Sequence, residues 1–212
     1  SCNQQQPPTL GASTALQLPA EIGRAPRLSE GPDGGLTLSW VEATADEATL
    51  RFASLSDGQF SEANDVITES RMFVNWADLP GVLHVESDHW IAHWLRYSAD
   101  LVYSYDVIVS QSFDGGATWS EPLTMHTDGT PTEHGFVSLH RSADGVGLMW
   151  LDGRETPDGP MTLRTAVVTQ NGERAHEALV DPSVCDCCQT DIAVSAEGPV
   201  AVYRDRTKEE VR

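Results

Sequence analysis

Short β-like runs recur along this chain: GLTLSW (35–40), DVIVSQS (106–112), GLMWL (147–151) and PVAVY (199–203). Apolar and polar residues tend to alternate in them, the two-residue period of an extended strand, while the 3.6-residue period of an amphipathic helix is nearly absent. Val, Thr, Trp and Tyr fill the runs, and clusters of Gly, Asp, Asn and Pro punctuate them. The pattern predicts an all-β protein of short strands and tight turns. The runs also repeat. Residues 26–40, 80–94, 136–150 and 189–203 share one plan: a short strand, a polar turn, and a second strand ending in an aromatic. Those aromatics are Trp40, Trp94, Trp150 and Tyr203, spaced by 54, 56 and 53 residues. Each hairpin is followed by more strand-like sequence, such as 48–66 after the first and 105–125 after the second. Four short strands in about 50 residues make a propeller blade.

Residues 112–119, SFDGGATW, read S-x-D-x-G-x-T-W. An Asp in such a tight hairpin accepts backbone N–H bonds, the glycines permit positive φ, and the Trp packs between blades. The segment resembles the Asp-box of sialidases and other BNR-repeat propellers. SLSDGQF (54–60) is a worn version, and the third repeat keeps only Asn171 and Gly172. CDCCQT (185–190), with YRDR (203–206) and HGFVSL (134–139), is similar to bacterial sialidase-like proteins over most of residues 70–212. The resemblance implies a sialidase-like propeller of the six-bladed type, here about three and a half blades. The expected organisation is a flexible tether over 1–20 and a partial propeller over 21–212. Blade 1 is expected at about 24–70, blade 2 at 75–128, blade 3 at 132–181, and the start of blade 4 at 184–212. The remaining blades are expected in a C-terminal continuation or another chain.

In such a propeller, residues just before the first strand and just after the second ring the central mouth. Counting back sixteen residues from each aromatic reaches Arg24, Asp78, His134 and Cys187, with Glu133 or Cys188 entering if the count slips by one. Gly23, Arg24, Ala25 and Pro26 resemble part of the sialidase F/Y-R-I-P motif, which implies that Arg24 grips a carboxylate; a planar guanidinium suits that task. Arg96 and Arg154, at second-strand exits, are either ligand-facing or paired with acids such as Asp152 as a structural rim. The resemblance also implies an Asp on an early blade as general acid/base, for which Asp78 is the candidate, and a Tyr–Glu nucleophile pair on later blades. The expected ligand is therefore a glycan or small anion, and the expected activity that of an exo-glycosidase.

Three of the four cysteines, Cys185, Cys187 and Cys188, fall within four residues. With His134 they form a soft donor set for Cu or Zn, which makes a metal-binding or thiol-dependent module the alternative function. They also fit a disulfide, for instance Cys185 to Cys188, or free thiols. A non-enzymatic interaction scaffold is the third reading. The net charge of −19 excludes nucleic acid and anionic membrane surfaces as partners. Ser1 and Cys2, followed by a polar, proline-containing stretch, resemble a processed bacterial lipoprotein with its lipid anchor on Cys2. That implies an extracytoplasmic location, periplasmic or at the cell surface, where disulfides persist.

Overall fold

The computed structural model describes residues 11–19, 23–32 and 34–206. Cys2, its expected lipidation and most of the expected tether lie outside the described residues. Among them every regular element is a strand. No helix there is long and apolar enough to cross a membrane.

The first sheet contains β1 (Arg24–Glu30), β2 (Leu36–Ala43), β3 (Ala48–Ser56), and an outer strand broken into β4 (Gln59–Phe60) and β5 (Asn64–Glu69). In the second, the inner strand is broken into β6 (Met72–Phe73) and β7 (Gly81–Glu86). Both pair with β8 (His89–Tyr97), followed by β9 (Tyr105–Ser112) and β10 (Leu123–Thr124). The third runs β11 (His134–Ser142), β12 (Gly145–Asp152), β13 (Thr162–Thr169) and β14 (Arg174–Asp181), and the hairpin β15 (Asp191–Ser195) with β16 (Gly198–Val202) opens a fourth. All pairings within the sheets are antiparallel. The described residues form an all-β propeller arrangement of three blades and the opening hairpin of a fourth.

The two-residue period explains how the blades stack. In β8, Trp90, Ala92 and Trp94 join the core shared with blade 1, while Ile91 and Leu95 join the core shared with blade 3. In β12, Val146, Leu148 and Trp150 face blade 2, while Met149 and Leu151 face the blade 4 hairpin. Strands buried on both faces are dominated by apolar residues, as β8 and β12 are.

The Asp-box forms the β9–β10 turn. Ser112 Oγ donates to Asp114 Oδ1 at 2.7 Å, and Asp114 accepts from Thr118 N at 2.8 Å and Thr118 Oγ1 at 2.5 Å. Gly116, at φ +88°, lies so close to the Phe52 ring of blade 1 that a Cβ would overlap it. Trp119 meets the same ring edge-on, with centroids 6.0 Å apart. The worn versions occupy the equivalent turns, with Asp57 and Gly58 at positive φ after β3 and Gly172 at positive φ after β13.

Candidate functional site

The inner strands define a ring around the axis. Arg27 lies opposite Ser39, Gly81 opposite His93, Ser138 opposite Met149 and Asp191 opposite Val202. Each partner immediately precedes the blade's aromatic, so these four positions are equivalent. The sixteen-residue count gives a different ring because it passes the axial position by three residues in blades 1 and 2 and by four in blades 3 and 4, whose hairpins are one residue shorter. Matching bulges, at Ala25 (φ +51°) and Phe136 (φ +53°), pair Arg24 with Gly135 rather than with His134.

Arg27, which the sequence did not single out, takes the axial place expected of Arg24. Its Nη1 donates to Val137 O at 3.1 Å and stands 3.2 Å from His93 Nε2. A Cβ on Gly81 would press on the Arg27 stem and on His93, so the glycine makes room for the guanidinium. Burial first, then the Arg27 charge, hold His93 well below the usual imidazole range, leaving it neutral and able to accept. Asp191 and Asp78 supply opposite charge to Arg27. Arg24 is exposed beside Glu42, Thr44 and Glu47.

Asp78 stands three residues before β7. The Asn75 side chain shapes this approach, its Oδ1 accepting from Ala77 N at 2.7 Å and Asp78 N at 2.6 Å. Asp78 is 1% exposed, and its Oδ2 has no hydrogen-bond partner among the described residues. Oδ2 occupies the place where a Cβ on Gly135 would fall. Burial, reinforced by the charge of Glu133, pushes the Asp78 carboxyl up to about 7, against the backbone N–H of Phe136 and the charge of Arg27. Beside it the Tyr105 hydroxyl donates to Glu133 Oε1 at 2.6 Å. Burial first, then the charge of Glu133, push the phenol far up, and burial raises Glu133 as well. A Tyr–Glu pair was expected only on later blades. Here the first residue of β9 and the residue before β11 bring one together where blades 2 and 3 meet.

The cysteine segment lies over this group. Cys185 and Cys188 form a disulfide with Cα atoms 5.7 Å apart, and Cys187 is a free, exposed thiol. Gln189 donates to Ala77 O, next to Asp78, and Thr190 Oγ1 donates to Phe136 O at 2.8 Å. The negative charge of Asp186, between the cysteines, is felt by Glu133. His134 is not gathered with the cysteines. It is completely buried and stacks on His126, with ring centroids 3.7 Å apart, among Asp106, Asp128 and Asp152. The four-ligand Cu or Zn set of Cys185, Cys187, Cys188 and His134 is therefore not assembled, because β11 carries the imidazole into the junction with blade 2.

Arg96 and Arg154 belong to a motif repeated in three blades. Trp40, Trp94 and Trp150 each donate an indole N–H to a carboxylate, at 3.0, 2.9 and 2.8 Å, those of Glu42, Glu69 and Asp152. Each carboxylate also accepts from an arginine: Arg51, Arg96 and Arg154. Arg154 holds both oxygens of Asp152 at 2.7 Å and reaches Glu177 at 2.8 Å. Burial alone would raise Asp152, but Arg154, His134 and Trp150 hold it below the usual carboxylate range. The rim alternative, rather than a free ligand-facing guanidinium, describes both residues. The second-strand aromatics carried the sequence signal for these triads, but the acid of blade 2, Glu69, comes from blade 1.

Such blades around a polar mouth define a β-propeller of the kind on which glycosidases are built. The structure is similar to the alpha-L-arabinanase of Penicillium chrysogenum solved with arabinobiose (12% identity, TM-score 0.59), covering 85% of this chain and 58% of that one. It is similar to the GH93 alpha-L-arabinofuranosidase of Fusarium graminearum (14%, TM-score 0.51, 85% and 52%). It is also similar to the NanB sialidase of Streptococcus pneumoniae (12%, TM-score 0.50, 89% and 28%). At these identities the likeness is one of fold, and the chain spans little more than half the length of the arabinanase. No protein-family profile matches the chain, and no curated protein matches it in sequence.

Proposed function

We propose that this chain forms the glycan-binding blades of an extracytoplasmic propeller that acts as an exo-glycosidase. The observation that carries the reading is the group at the mouth: a buried Asp78 whose proton is retained to about pH 7, beside the Tyr105–Glu133 pair. A carboxyl protonated near neutrality is what a general acid requires. Glu133, only partly buried, is the member with access to the mouth, and Asp78 holds a proton behind it. Of the two expected ligand classes a neutral glycan is favoured over an anion, since Arg96 and Arg154 are committed to carboxylates, Arg24 stands apart from Asp78, and the axial Arg27 is bonded to the Leu79 and Val137 carbonyls with Asp191 and Asp78 as its opposite charges. The Cys185–Cys188 disulfide supports an oxidising compartment and leaves one thiol, which weighs against a cysteine-held Cu or Zn.

The test is hydrolysis of fluorogenic α-L-arabinofuranosides and α-sialosides, with binding to a neutral oligosaccharide panel, by the full-length protein. The expected result is turnover or binding of a neutral glycoside that falls at least a hundredfold in Glu133→Gln. Sialoside turnover abolished by Arg27→Ala would restore the anionic reading. A folded protein that neither binds nor cleaves any member overturns the proposal.

A further inference from the structure

The junction between blades 2 and 3 holds a second polar cluster, separate from the mouth trio and from the cysteines. Asp106 is the second residue of β9, His126 follows β10, and His134 opens β11. Three atoms converge there. His126 Nε2 stands 3.5 Å from Asp106 Oδ1, and His134 Nδ1 stands 4.0 Å from the same oxygen. All three lie within 4.8 Å of one another.

The partners of each group fix its role. Asp128 is the orienting residue. Its Oδ1 takes the His126 Nδ1 proton at 2.7 Å, and its Oδ2 is held by Thr130 N and Thr130 Oγ1. A carboxylate that claims the proton on one ring nitrogen leaves the other with a bare lone pair, the arrangement by which metal-ligating histidines are held. His126 Nε2 is that bare nitrogen. The side chain is 2% exposed, Nε2 has no hydrogen-bond partner among the described residues, and it is aimed at an anionic oxygen. A buried ring nitrogen facing a carboxylate oxygen needs a proton or a metal ion between them. His134 Nδ1 stands 3.2 Å from Tyr105 O and Thr132 O, to which its N–H donates, with Asp106 beyond; binding a metal there displaces that proton, and Nε2 then carries the ring's N–H, 3.3 Å from Asp128 Oδ2. The surrounding fixed charges leave room for a cation: among the described residues, Asp106, Asp128, Asp152 and Glu177 meet the guanidinium groups of Arg154 and Arg164 and the His126 and His134 rings, so with the rings neutral the cluster is net negative.

We infer that Asp106 Oδ1, His126 Nε2 and His134 Nδ1 form a site for one divalent first-row metal ion of the zinc class. Two imidazoles and a carboxylate are a borderline donor set suited to that class. With bonds of about 2.0–2.1 Å, neighbouring donors of a tetrahedral site stand roughly 3.3 Å apart. The 3.5 Å edge is already near that spacing, and the 4.0 Å edge closes as His134 tilts out of its stack. Asp106 is the partly exposed ligand, at 25%, and marks the path of entry and the position left for a water. The ion joins the end of blade 2 to the start of blade 3, next to Tyr105 and Glu133 in sequence, and so stiffens the junction that holds them.

The full chain, freed of metal with a chelator, is titrated with Co(II) and then with Zn(II). Expected are one equivalent bound with visible d–d absorption near 500–600 nm, displacement by Zn(II), and a higher melting temperature in the presence of metal. Asp106→Asn, at a partly exposed position that leaves the His pair intact, should weaken binding at least tenfold, as should His126→Gln. Cys187→Ser should leave the spectrum unchanged. A wild-type chain that binds no ion overturns the inference. So does binding that survives both Asp106→Asn and His126→Gln, or that vanishes in Cys187→Ser with thiolate absorption in the near ultraviolet.

Discussion

At the scale of single residues, Asp78 is constrained from three sides. Asn75 shapes the backbone that presents it, Gly135 leaves the space its Oδ2 fills, and Glu133 adds a like charge nearby. Its carboxyl titrates near 7 in the folded chain, against about 4 for an unfolded aspartate. Between those values the folded state keeps a proton that the unfolded state has released. Stability therefore falls as pH rises from about 4 to about 7, and the dependence levels off above. Asp78→Asn cannot titrate and should lose this slope, gaining on the wild type by up to a few kcal/mol between pH 5 and pH 8. Urea unfolding midpoints at the two pH values measure it. Parallel pH profiles for the two proteins would show that Asp78 is ionised throughout.

At the scale of elements, the turns and the second strands do different work. The Asp-box turn is closed by short polar bonds, and hydrogen bonds from Thr118 and then Ser112 hold Asp114 down to about 2. Its glycine and tryptophan matter through what they touch on the neighbouring blade, the Phe52 ring. Phe52 also packs on Trp90, with ring centroids 5.1 Å apart, so this one side chain joins β3 of blade 1 to β8 and the Asp-box of blade 2. Phe52→Ala should cost about 3–5 kcal/mol, the range for emptying a buried aromatic site. The loss is read as a drop in the urea midpoint, with Asp57→Ala in the worn turn as the mild comparison. A cost below about 1 kcal/mol would mean that the two blades are held by other contacts.

At the scale of the whole molecule, the blades stack through apolar cores, and the polar groups collect where blade ends meet. The cysteine segment spans one such meeting. Cys185 N donates to Arg204 O at 2.9 Å, Arg206 reaches Asp186 at 2.7 Å, and Gln189 reaches back to Ala77. The loop is thus tied to blade 4 and to the approach of blade 2. Alkylation of the native chain followed by peptide mass mapping should modify Cys187 and spare Cys185 and Cys188, which should label only after reduction. Labelling of all three without reductant, or a Cys187 disulfide, contradicts the pairing.

The fold was legible in the chain to a considerable depth. A two-residue period, a spacing of about 54 residues between Trp40, Trp94, Trp150 and Tyr203, and the chemistry of 112–119 are local or repetitive signals, and they determined the strands, the blades and the turns. The site was legible in part. Asp78 and the cysteine segment were found because they stand at fixed offsets from those aromatics, and Glu133 was reached only by allowing a slip of one. Arg27 was passed over because the count of sixteen reaches three residues beyond the axial position, an offset set by the strand register that no period records. Arg96 and Arg154 looked free because the strand pattern says nothing of which acids meet them. Glu69 lies 27 residues before Arg96 and Glu177 lies 23 after Arg154, each on a separate strand. The Cys185–Cys188 disulfide, three residues apart, was one of the pairings open from sequence, whereas the stacking of His134 on His126 instead of beside the thiols was decided by the packing of blades against one another. Period and turn chemistry act between near neighbours, and the chain states them outright. Partners across blades depend on bulge register and on burial, which exist only once the blades have stacked.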